Sequence, residues 1–93
     1  MDSEEARDVL LAELDRYRRM PYTALQRLRS EQDHLEIVGR SGVKYQVEIQ
    51  AFWDSGREGD LRVRGAIDDG GLRAFVPLVE DFIMNPAGGF VGE

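Results

Sequence analysis

The sequence predicts an α+β fold: an N-terminal amphipathic helix packed on a curved four-stranded antiparallel β-meander in order 1-2-3-4. Three observations carry this. Apolar residues recur at three- and four-residue intervals near the N-terminus. The run VKYQVEIQAFW at 43–53 alternates between apolar and polar until its last residues. Shorter alternating runs separated by turn residues flank it on both sides. With 93 residues, the chain is expected to form a single domain that buries roughly 60% of its unfolded surface.

Residues 3–19 read as the helix, because Ala6, Val9, Leu10, Leu14 and Tyr17 form one stripe. Asp2 with Glu5 three positions on resembles a capping box. Glu4 and Glu5 at the start and Arg16, Arg18 and Arg19 at the end suit the helix dipole. Pro21 ends the helix, and 22–30 predicts a short helical connector with Leu25 and Leu28 facing the core.

The first strand is expected at 34–39 and the central one at 43–53. Parity sets the turn between them: a three-residue loop pairs Ile37 with Tyr45 and Leu35 with Val47, with Gly42 at the left-handed position. The central strand then points Val43, Tyr45, Val47, Ile49, Ala51 and Trp53 to one face and Lys44, Gln46, Glu48 and Gln50 to the other. Phe52 breaks the pattern by joining the polar face. A third strand at 61–67 follows a polar loop, with Trp53 opposite Leu61. The Asp-Gly turn after it predicts a two-residue hairpin into a fourth strand at 72–76, with Ile67 opposite Leu72. These registers leave the first and third strands hardly overlapping along the central one. Residues 78–84 are expected as a short helix or loop, and the glycine- and proline-rich 85–93 as a loose tail.

Composition narrows the function classes. There is no cysteine and a single histidine, so disulfides, thiolate nucleophiles and two-histidine metal sites fall away. A net charge of −6 disfavours nucleic-acid and anionic-membrane binding. No apolar run approaches membrane-spanning length and the N-terminus opens acidic, so a cytoplasmic location without membrane attachment is expected. Eleven of the twelve basic residues are arginine, and five of them fall in 16–29 with no acid among them. Such a segment can grip an anion, but pairing with the protein's own carboxylates is the stronger reading on an acidic chain.

Sites for chemistry are scarce. Asp54, Glu58 and Asp60 lie in one loop and Asp68 with Asp69 in another, about 20 Å away along the third strand, and turn chemistry explains them better than a metal. Glu80 and Asp81 sit in an apolar setting, but as helix neighbours they would point about 100° apart. No catalytic residue, metal or cofactor is assigned. One cluster stands out: Phe52, Arg62, Arg64, Arg73 and Phe75 share the outer sheet face, with Phe52 opposite Arg62 and Arg64 opposite Phe75. Arginine-aromatic pairs serve either as cross-strand packing or as centres of protein interfaces. The expected function is therefore a small non-enzymatic interaction module, binding another protein or itself through this face or an edge strand. A small inhibitor or immunity-type protein of bacterial style is one form of it. Small-ligand or metal binding, with or without catalysis, in a pocket between helix and sheet is the alternative.

Overall fold

The computed structural model describes residues 1–71 and 77–93. Helix α1 (Ser3–Arg18) is followed by α2 (Tyr22–Leu25) and a 3-10 turn (Gln26–Arg29). Strands β1 (Asp33–Val38), β2 (Lys44–Trp53), β3 (Leu61–Asp68) and β4 (Leu78–Met84) complete the chain. The strands form one open antiparallel sheet in order β1-β2-β3-β4. The helices cover one face: Ala6, Leu10, Leu14 and Tyr17 of α1, together with Leu25 and Leu28, bury against Tyr45, Val47, Ile49, Leu61, Val63, Ile67, Phe82 and Met84. No helix among the described residues is long and apolar enough to cross a membrane.

The Asp2 carboxylate caps α1, accepting the Glu4 and Glu5 amides at 3.1 Å each. The reciprocal half of a capping box does not form. Glu5 instead turns inward and is 7% exposed. The first hairpin has the expected register, Ile37 opposite Tyr45 and Leu35 opposite Val47. Gly42 supplies its turn at φ 89°, a conformation that costs glycine no steric penalty. Trp53 lies opposite Leu61 as parity requires.

The C-terminal third departs from the sequence reading. The strand expected at 72–76, and the pairing of Ile67 with Leu72, fall on residues outside those described; Ile67 pairs with Leu78 instead. The fourth strand is Leu78–Met84, where a helix or loop was expected. Adjacent Glu80 and Asp81 obscured its alternation. Both are accommodated, Glu80 beside Arg7 at 3.2 Å on the helix side and Asp81 on the outer face with Arg62 at 2.7 Å. The β1 and β3 pairings overlap along β2 from Gln46 to Ile49, because β1 starts at Asp33, opposite Ile49, and β3 runs on to Asp68, opposite Gln46.

Residues 85–93 are anchored to the sheet. The Asn85 side chain accepts the Ala87 and Gly89 amides, the Val91 amide donates to the Ile83 carbonyl, and Phe90 bridges to Met84. Phe82 and Phe90 meet edge to face at 5.8 Å, and the Arg18 guanidinium lies 4.9 Å from each ring while binding Glu93 at 2.6 Å. Each cation-π contact is worth about 0.5–1 kcal/mol at an exposed site. Arg18→Ala is accordingly expected to free this segment with a thermal midpoint loss of about 4–16 °C. Amide exchange at Val91 reads it; unchanged protection there would show that Arg18 does not hold the segment.

Candidate functional site

Alternation along the strands builds the outer face in rows. Phe52, Arg62 and Ile83 form one, Gln50, Arg64 and Asp81 the next, and Glu48, Ala66 and Val79 a third. Phe52 is 40% exposed and Val79 38%, so the face mixes apolar patches with charge.

Phe52 lies opposite Arg62 as the sequence predicts. Arg62 is fixed between two carboxylates, with Nε donating to Asp54 Oδ1 at 3.0 Å and a terminal nitrogen donating to Asp81 Oδ2 at 2.7 Å. These bonds, the one to Asp54 first, hold its pKa above the ordinary arginine value. Arg64 has Asp81 across from it and not Phe75. Among the described residues Arg64 forms no ion pair, and its Nε is buried without a hydrogen-bond partner. Arg73 and Phe75 lie outside the described residues. Sequence reasoning missed Asp54 and Asp81 as the clamp, since Asp81 reaches the outer face only once 78–84 is a strand.

Residues 16–29 do not assemble an anion site. Arg16 bonds Glu13, Arg18 bonds Glu93, Arg19 bonds Asp15 at 2.6 Å, and Arg27 grips both oxygens of Asp33 at 2.9 Å. Arg29 stacks 4.1 Å from the Trp53 ring centroid. Three acids of the two loops are engaged as well: Asp54 holds Arg62, while Asp68 and Asp69 accept the Gly70 and Gly71 amides. His34 is exposed, with Nδ1 3.5 Å from Glu48 Oε1.

Two buried polar clusters were not legible in the sequence. Glu5 Oε1 accepts the Ser41 and Tyr45 hydroxyls at 2.6 Å each, and Oε2 accepts the Ser41 amide at 3.0 Å. The bonds from Ser41, then Tyr45, pull the Glu5 pKa below the usual carboxylate range; the bond to Glu5, with burial second, pushes Tyr45 up to about 12. In the other cluster the Tyr17 hydroxyl donates to Asp33 at 2.6 Å. Burial first, then Asp33, raises the Tyr17 pKa, and the Arg27 bond lowers that of Asp33.

The space between α1 and the sheet is closed by Leu10 and Leu14 over Gly65. A concavity of about 470 Å³ lies beyond the end of α1, between Arg18–Thr23 and the 86–88 turn. Comparison of the chain with protein-family models, with curated proteins and with solved structures finds no match in any of the three.

Proposed function

We propose that this chain is a small non-enzymatic protein-interaction module that docks a partner protein on the outer sheet face around Phe52, Arg62 and Arg64. The observation carrying this reading is an exposed aromatic aligned beside an arginine already locked by Asp54 and Asp81. A side chain fixed before binding loses little entropy on binding, and arginine with aromatics is the composition of interface centres. Arg64, without an ion pair among the described residues, supplies a charge for a partner carboxylate.

The test is affinity capture of a partner, repeated with Phe52→Ala and Arg64→Glu. Both variants are expected to keep the wild-type thermal midpoint within a few degrees and to lose the partner by about 30-fold or more, the size of a hot-spot truncation. A partner retained by both variants would remove this face as the docking surface.

A further inference from the structure

The two sheet edges differ. On β4 the C-terminal segment occupies part of the edge, through the Val91 amide on the Ile83 carbonyl. On β1 the Gly39 amide bonds the Val43 carbonyl at 2.8 Å, which fixes the phase of the ladder. Bonded pairs alternate along an antiparallel ladder, so Ile37, Leu35 and Asp33 bond to β2, while the amides and carbonyls of His34, Glu36 and Val38 point away. Among the described residues no backbone group reaches those three from the open side.

Such a row is a template for another strand, and its side chains choose the occupant. His34 and Glu36 are both exposed, two residues apart on the same face. The Glu36 carboxylate is steadied by Gln46 Nε2 at 3.1 Å and the His34 ring by Glu48. A histidine and a glutamate in this spacing are complementary to the same pair read in the opposite direction.

Two copies paired antiparallel across this edge have four registers that use the outward groups and pair at least three residues of each strand, with the two-fold axis at His34, Leu35, Glu36 or Ile37. An axis at Glu36 sets two carboxylates directly opposite each other, which is destabilising. An axis at His34 sets the histidine on itself, and one at Ile37 sets Glu36 against valine. The axis at Leu35 sets His34 against Glu36 twice. It also brings the two half-buried Leu35 side chains together at a non-hydrogen-bonded position, where strands approach closest.

We propose that this chain pairs with a second copy of itself through the free edge of β1, with the axis at Leu35 and His34 of each copy against Glu36 of the other. The sheet then runs on through eight strands. Each imidazole has two ring nitrogens, one toward Glu48 of its own chain and one toward Glu36 of the second copy. The edge is short, and each copy carries −6, so the dimer is a weak, reversible one. The surface is separate from the outer-face site, because the substitutions that test it leave Phe52 and Arg64 in place.

Sedimentation velocity of the full chain from about 5 to about 500 µM is expected to show a monomer-dimer equilibrium. His34→Glu should weaken it about tenfold by facing like charges, and the swap of His34→Glu with Glu36→His should restore it to within about threefold. Amide exchange on the unmodified chain provides an independent readout. Protection at His34 and Glu36 should rise with concentration, while Leu35 and Ile37, already bonded to β2, stay unchanged. A chain monomeric throughout, a dimer indifferent to His34→Glu, a dimer tightened by Glu36→Gln, or His34 and Glu36 amides insensitive to concentration would each overturn the proposal.

Discussion

Gly65→Val is expected to lower stability by about 1–3 kcal/mol through overpacking. Gly65 sits on the helix-facing side of β3, where a Cβ would lie 2.7 Å from Leu10 Cδ1, 3.2 Å from Ile49 Cδ1 and 3.3 Å from Leu14 Cδ2. Leu10 is fully buried and Leu14 nearly so, so α1 rests on the bare backbone of β3. Two effects oppose the loss. Valine suits strands better than glycine, and it restricts the unfolded chain; each is worth at most about 1 kcal/mol. Three tight contacts outweigh them for valine, while alanine, facing the movable end of Leu10, should come out near neutral. For a domain of this size the thermal midpoint should fall about 4–8 °C per kcal/mol. Leu10→Ala alone should cost about 2–5 kcal/mol. Because it vacates the same space, the double variant should be less destabilised than the sum by at least about 0.5 kcal/mol. Strict additivity, or a gain in midpoint for Gly65→Val, would refute this account of the packing.

Glu5→Ala should lower the thermal midpoint by on the order of 10 °C. The substitution leaves the buried Tyr45 hydroxyl and the Ser41 amide without their acceptor. The same carboxylate shapes the acid limb of stability. Its pKa is lowered on folding, so its contribution is complete above the unfolded value of about 4.3 and is lost as pH falls through the lower folded value. Asp33, lowered mainly by Arg27, acts in the same window. Tyr45 acts at the other end: its raised pKa gives stability that is complete below about pH 10 and lost as pH climbs through about 12. Thermal melts between about pH 2 and 7 test the acid side. Glu5→Gln should flatten the slope relative to the unmodified chain, and an unaltered slope would remove Glu5 from the linkage.

The sequence by itself determined the helix, the central strand, the parity of the first two hairpins and the strand order, because hydrophobic period and turn chemistry are local. Ala6, Leu10, Leu14 and Tyr17 declare a helix face whatever they pack on, and Gly42 with the Ile37 and Tyr45 parity admits one hairpin register. On the candidate site, local parity placed Phe52 opposite Arg62 on the outer face. What it offered locally could also mislead. The Asp68–Gly71 turn pointed to an immediate fourth strand, and the paired acids Glu80 and Asp81 disguised the one at Leu78–Met84. Only the tertiary structure decided that strand, which puts its acids on two faces of the sheet, each partly exposed and beside an arginine, Arg7 for Glu80 and Arg62 for Asp81. It likewise decided the burial of Glu5, whose partners Ser41 and Tyr45 lie 36 and 40 residues away, and the lack of room for a valine at 65, set by Leu10 and Leu14 of a helix far earlier in the chain. Contacts between residues distant in sequence leave no period in it, and these depend on how α1 sits on the sheet.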